Sequence, residues 1–383
     1  MPKLFLTACA WLLPGLLFAQ NDTAGQEADQ YLLVGTYTKK TSEGIYVYTF
    51  NTQTGALEYV GTTTGVDNPS YLVIAPDQRH VYSVNESGTE RTGGVSAFLL
   101  DHASGQLQQL NRQPAGGEGP CYINMDREGR HVLVGNYASG SLSVLPVLAD
   151  GKVGPPLQTI QHTGSSVNKD RQEKPHVHCV EFSPDYRFLY VPDLGIDKVG
   201  IYQYTPEPPL LLREATPSYA GLPPGSGPRH ITFHPNGKWA YLIHELDGKV
   251  TAFRYDTGRL TPIQTVSTLP AAFKGVISGA DIHVSPDGKF LYASNRGSLN
   301  NIVYYAIHPK SGKLQRKGQQ STGGRTPRNF MIDPSGRFLL AANQDSDNIV
   351  VFKRNPVTGA LKSTGEEIRV SMPVCLKMTP IQK

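Results

Sequence analysis

Beyond residue 20 the chain has no apolar run long enough to cross a bilayer. The one run before it, residues 4–18, is short and is broken by Thr7, Pro14 and Gly15. Lys3 stands ahead of it, Ala19 offers a small residue for cleavage, and polar Gln20, Asn21 and Asp22 follow. That is the layout of a secretory leader rather than of a membrane anchor. The expectation is an exported protein, periplasmic or secreted, with a signal peptide at 1–20, a flexible mature start at 21–30 and one folded domain over 31–383. A lipoprotein reading of Leu6-Thr7-Ala8-Cys9 is weaker, since only eight residues precede that cysteine.

Cysteine is scarce as well. Cys121, Cys179 and Cys375 remain beyond the leader. Their odd number and scattered spacing fit neither a disulfide framework nor a zinc site, so they read as buried thiols. No large excess of one charge is present: 36 Lys and Arg face 32 Asp and Glu, and the net +4 becomes +3 once Lys3 is removed. So small a balance gives no case for nucleic acid or an anionic membrane as partner. Gly-x-Ser-x-Gly and Gly-rich phosphate loops are also missing, which disfavours a serine hydrolase or a nucleotide enzyme.

What is abundant is repetition. An apolar strand, a Pro-Asp-Gly-like turn, an aromatic-rich strand, a polar loop, a third strand, a Thr-Gly or Ser-Gly turn and a final strand recur along the chain. With Pro76, Asp126, Pro184, Pro235, Pro286 and Pro334 as landmarks, the intervals are 50, 58, 51, 51 and 48 residues. Periods of that size with four strands each indicate a β-propeller. The long interval contains an insertion, 161–174, polar enough to read as a surface loop.

Six full units start near Asn68, Gly119, Pro175, Gly227, Gly279 and Thr326. Residues 31–64 supply three more strands and 372–378 a lone one. Joined, they make a seventh blade shared between the termini, which closes the ring and removes its open edge. The fold expected is all-β: a seven-bladed propeller of four-stranded antiparallel blades. A closed ring demands no partner, so a monomer is the default.

Topology then sorts the loops. Those entering the first strand and leaving the second share one face, and there the sequence is chemically varied. Entering are His176 and His178, Arg229 and His230, Asp281 and His283, and Arg328. Leaving are Asn85-Glu86, Asn136-Tyr137, His244-Glu245, Asn295-Arg296 and Asn343-Gln344. So many ionisable and amide groups at one rim are costly to desolvate unless paired or used. For any one of them the bland reading, a corner hydrogen bond between blades, is the stronger. Together, His178, Arg229, Glu245 and Arg296 point to chemistry: a base, a carboxylate and two permanent cations.

That set suits opening of an ester or lactone. Glu245 or His178 would take a proton from water, both being tunable toward neutrality, while Arg229 or Arg296 would stabilise an oxyanion or clamp an anionic substituent. A metal on His176 and His178 lacks a third ligand placed by spacing. No metal and no cofactor are therefore expected.

At these residues the chain resembles the lactonase family of seven-bladed propellers, which includes 6-phosphogluconolactonases and carboxy-muconate cyclases. The resemblance covers about residues 31–380. It is most specific in Gly227-Pro228-Arg229-His230-Ile231-Thr232-Phe233-His234-Pro235, His244-Glu245-Leu246, Ala280-Asp281-Ile282-His283-Val284-Ser285-Pro286-Asp287-Gly288, Ala293-Ser294-Asn295-Arg296 and Thr326-Pro327-Arg328-Asn329. It implies a metal-independent hydrolysis of a small lactone, usually 6-phosphogluconolactone. By position it places catalytic roles on His178, Arg229, Glu245 and Arg296. Arg328 and Gln344 match further positions of that branch, and His176 is a plausible auxiliary, two residues from His178 on one side of the strand. His230, Asp281, His283 and Asn136 are the remaining candidates for substrate binding. Two alternatives stay open: a lactone-forming cycloisomerase of the muconate type, and a propeller that binds a ligand without turning it over.

Overall fold

A computed structural model describes residues 29–87 and 93–382, together with Met1. Apart from Met1, the leader expected at 1–20 and most of the mature start expected at 21–30 lie outside the described residues. Regular structure begins at Gln30, one residue before the expected boundary.

Seven four-stranded antiparallel sheets account for nearly all of the regular structure, with one turn of 3-10 helix at Gln344–Ser346. Numbering the blades along the chain, blade 1 is the shared one. Its strands Gln30–Thr36, Gly44–Phe50 and Leu57–Thr64 take Pro373–Pro380 as their inner partner, with Leu33 opposite Lys377 and Val34 opposite Leu376. The last strand of the chain thus closes the ring against the first, as the repeat required. The inner strands of blades 2 to 7 are Leu72–Ile74, Pro120–Met125, Glu181–Phe182, Pro228–Phe233, Gly279–Val284 and Pro327–Ile332. Blade 4 departs from the expectation: its inner strand is only two residues long, preceded by the isolated bridge of Val177 with Asp193.

The second strand of each blade is apolar on both faces because it lies between an inner and an outer neighbour and between adjacent blades. Phe188–Asp193, Trp239–His244, Phe290–Asn295 and Phe338–Asn343 are buried throughout. Outer strands such as Leu361–Arg369 are largely exposed. The repeated tyrosine in these second strands serves the joint between blades. The hydroxyls of Tyr82, Tyr241 and Tyr292 donate to the carbonyls of Gly151, Gly312 and Gly359, each in a turn of the following blade. Glycine is required at those turns. Gly359 has φ +75°, and a Cβ there would stand 2.4 Å from the Phe290 ring. Such contacts convert the sequence period into a rigid ring, and the ring carries the loops at its mouth.

Candidate active site

Two local devices aim side chains at one end of the central channel. The first is a β-bulge at the start of inner strands. Pro228 pairs with His244 and His230 with Ile243, which leaves Arg229 as the extra residue. The same slip leaves Cys121 unpaired in blade 3, Arg328 in blade 7 and Val374 in the closing strand of blade 1. A bulged residue turns out of the pleat, and here it turns into the channel. The second device is the end of the second strand. Its last residue stays in the blade corner, and the next one reaches the mouth. Glu86, Tyr137, Glu245 and Arg296 arrive that way and line a cavity of about 370 Å³ together with Tyr37, Cys121, Arg171, His178, Ser278 and Arg328. An adjoining recess is lined by Tyr71, Arg229, His230 and Val374.

The centre of the site is Glu245, only 5% exposed. Its Oε2 accepts from Arg229 Nε at 3.0 Å and pairs with Arg296 Nη2 at 2.8 Å, and its Oε1 accepts from Arg171 Nη2 at 2.6 Å. Burial opposes its ionisation, but the guanidiniums of Arg296, Arg229 and Arg171 outweigh burial and hold its carboxyl well below the usual range. Glu245 is therefore ionised at neutral pH and bound to three guanidiniums.

Arg229 is 1% exposed and is held on every side: Nη1 donates to Ala280 O at 2.6 Å and meets His230 Nε2 at 3.1 Å. Arg296 Nη2 donates to Gly279 O at 3.1 Å, while its Nε is buried without an acceptor. Burial, with Arg229 and Arg328 nearby, pushes the Arg296 guanidinium down to about 10 despite Glu245. An unspent donor on a crowded, desolvated cation is what a developing negative charge would relieve.

His178 faces this group. Its ring packs edge-on to Tyr137 and His230, at centroid separations of 5.5 and 5.3 Å. Its ring makes one long polar contact, 3.9 Å from Nδ1 to Cys121 Sγ. Burial first, and then Arg229, His230 and Arg328, depress its pKa well below that of a free imidazole. At neutral pH the ring is uncharged and has a lone pair to offer. Cys121 beside it is not an activated nucleophile, because burial pushes its thiol far up.

Other candidates take different places. His230 Nδ1 is 2.8 Å from Asp281 Oδ1, and Asp281 Oδ2 is 3.0 Å from His283 Nε2 and accepts from Phe330 N at 3.2 Å. Burial opposes ionisation of Asp281, but both histidines hold its carboxyl well below normal, and burial drives His230 down to about 3. Asp281 and His230 thus form a buttress behind Arg229, and the two substrate-binding candidates Asp281 and His283 are not among the residues that line the cavity or its recess. His176 also turns away. It stacks on Tyr137 at 4.4 Å, with Nδ1 on the Tyr137 carbonyl oxygen and Nε2 on Glu173. Asn136 is a corner residue, donating to Ser141 and Ser143 inside blade 3. Gln344 stands in the 3-10 turn with its amide nitrogen on Asp345, away from the cavity lining. Among the described residues, no three His, Cys, Asp or Glu side chains are grouped to hold a metal ion.

Tyr37, Arg171 and Ser278 also line the mouth, and the sequence singled out none of them. Tyr37 donates to Glu86 Oε2 at 2.8 Å, and Arg328 stands 5.3 Å from the Tyr37 ring centroid. Arg171 comes from the 161–174 insertion, which is more than a surface loop. Its neighbour Gln172 is wholly buried and donates to Leu194 O at 2.8 Å. The signal for Arg171 was the length of that insertion on the varied face.

Comparison with known proteins agrees with this architecture. The family described as "Lactonase, 7-bladed beta-propeller" matches residues 31–378. A 6-phosphogluconolactonase of Bacillus subtilis strain 168 is 38% identical over 346 residues, spanning 90% of this chain and 97% of its own. A second 6-phosphogluconolactonase, from Formosa agariphila, is 38% identical over 91% of this chain and 99% of its own. The structure of a periplasmic gluconolactonase of Pseudomonas aeruginosa superposes with a TM-score of 0.89 at 40% identity, covering 93% of this chain and all of that one.

Proposed function

The chain belongs to the seven-bladed β-propeller lactonase family, and from that membership we propose that it hydrolyses a sugar δ-lactone in the cavity around Glu245. The relatives named 6-phosphogluconolactonase and gluconolactonase support the reaction class. The observation that carries the site assignment is the presence of a buried, unprotonated His178 and the Arg296 guanidinium on one small cavity.

In this reading the lactone carbonyl oxygen lies against the arginines, which take up the negative charge as water adds to the carbonyl carbon. His178 accepts the proton that water loses. The tetrahedral intermediate then breaks its bond to the ring oxygen, and His178 returns the proton to that oxygen as it leaves as a hydroxyl. The acid product ionises in bulk water, so each turnover releases one proton. Glu245 keeps Arg229 and Arg296 in place throughout, and their preset geometry lowers the reorganisation needed at the moment of reaction. Every group required comes from the chain, with no cofactor in the scheme.

Four guanidiniums, Arg171, Arg229, Arg296 and Arg328, surround the cavity against the carboxyls of Glu86 and Glu245. That surplus favours a lactone bearing an anionic substituent. For the protein as a whole we infer export from the leader pattern of 1–20 and from the periplasmic relative, and action as a monomer. Proton release by the purified protein with 6-phosphogluconolactone and with glucono-δ-lactone, followed at constant pH, tests the reaction. Acceleration of either over spontaneous opening is expected; none with either would remove the sugar-lactone reading.

A further inference from the structure

The four arginines of the mouth are not equivalent. Arg229, Arg296 and Arg328 sit on bulges or strand ends, and Arg229 and Arg296 are also tied to backbone carbonyls and nearly buried. Arg171 alone is carried by a connection between blades. Its side chain is 42% exposed, and its hydrogen bonds go to two side chains, Glu245 and Tyr137. The backbone beneath it is nonetheless fixed. Gln172 is buried, its main-chain N–H donates to Asn168 O, its carbonyl accepts from Ser166 N, and its side chain reaches Leu194 O. The loop is an anchored post, and what it presents to the mouth is a half-exposed guanidinium held by side chains alone.

If that guanidinium leaves, Glu245 gives up the hydrogen bond to its Oε1, but Arg229 and Arg296 still neutralise it through Oε2. We infer that Arg171 is the specificity residue of this site: its guanidinium exchanges Glu245 for the anionic substituent of the incoming lactone and so sets the preference for a charged over a neutral sugar lactone. This rests on the lactonase reading of the cavity. A planar guanidinium suits a phosphate or carboxylate, and an exchange between two anions costs less than desolvating a free cation.

The test separates the inference from that reading by measuring binding as well as turnover. Affinities for 6-phosphogluconate and gluconate are measured by calorimetry, alongside kcat/KM for the two parent lactones, in the native protein and in Arg171→Gln, Arg171→Lys and Lys152→Gln. Lys152, exposed and paired with Asp150, controls for loss of one positive charge away from the mouth. Arg171→Gln is expected to lower the preference for the phosphorylated ligand by about 10- to 100-fold, the range for one charge-assisted hydrogen bond. Arg171→Lys should recover part of that, and Lys152→Gln should stay within twofold. Equal losses for charged and neutral ligands would overturn the inference and make Arg171 a positioning residue for Glu245. An unchanged preference would overturn it too. Because the binding comparison needs no turnover, a failure of catalysis with both lactones would count against the enzymatic reading alone.

Discussion

Replacing Glu245 by Gln removes one charge and almost no volume, so its consequences follow from the network around it. Three guanidiniums meet this carboxylate at 2.6 to 3.0 Å, and Arg229 and Glu245 are nearly inaccessible to water. Removing one partner of a buried charged cluster costs about 3–5 kcal/mol, since the remaining charges cannot recover hydration. The amide oxygen of Gln keeps one acceptor, which places the expected loss near about 3 kcal/mol. For a chain of this size that lowers Tm by about 4 °C. Catalysis should suffer more than folding. With Arg229 and Arg296 held only by Ala280 O, His230 and Gly279 O, weaker presetting of the oxyanion donors should cost about 10²-fold in kcat, with KM much less affected. Differential scanning calorimetry and proton release at constant pH read the two effects. The pH dependence has a definite sign: a carboxyl held below its unfolded value stabilises fully above that value, about pH 4.5, and the benefit is lost as pH falls toward the folded pKa. The stability gap between native protein and variant should thus be constant from pH 8 to 5 and narrow only in stronger acid. A variant with unchanged Tm and kcat within threefold of native would refute the reasoning.

Other expectations can be checked directly. Because His178 is held neutral well below the ordinary imidazole range, kcat should stay level as pH falls from 7 to below 6. A fall centred near 6.5 would show a normally titrating histidine. Burial raises the Glu181 carboxyl to about 7, although Tyr122 and Asn124 donate to it. Folding stability from this group is present below about pH 4.5 and lost as pH rises through 7. Glu181→Gln should therefore raise Tm at pH 8, by a stabilisation of at most about 3 kcal/mol, and have little effect at pH 4; thermal scans at the two values decide. Asn136→Ala should lower Tm through the lost bonds to Ser141 and Ser143 while kcat/KM stays within about threefold, and steady-state kinetics at 25 °C would reveal any larger effect.

The propeller was readable because its causes are periodic. The Pro-Asp-Gly turns, the second-strand tyrosines and the Thr-Gly turns recur at blade spacing, and each does the same physical task in several blades. The closing strand at Pro373–Pro380 could be inferred since three strands at the start lacked an inner partner. The rim was readable in outline for the same reason, and His178, Glu245, Arg296 and Arg328 do line one cavity. What could not be read was the turn of each side chain. Asn136 and Tyr137 are neighbours, yet one fills a blade corner and the other faces the channel. Arg229 reaches the site through a one-residue bulge that no local pattern announces. Asp281 carries the charge expected of a site residue but spends it on His230 and His283. Arg171 lies in the one stretch that breaks the period, where spacing has nothing to say about reach.

The role of His178 as the proton acceptor admits a direct check: steady-state turnover of the preferred lactone by His178→Gln, with folding verified by Tm. A loss of about 10²- to 10⁴-fold in kcat with Tm within about 2 °C of native is expected for a missing general base. Turnover close to native in the folded variant would contradict hydrolysis by a His178-activated water at this mouth.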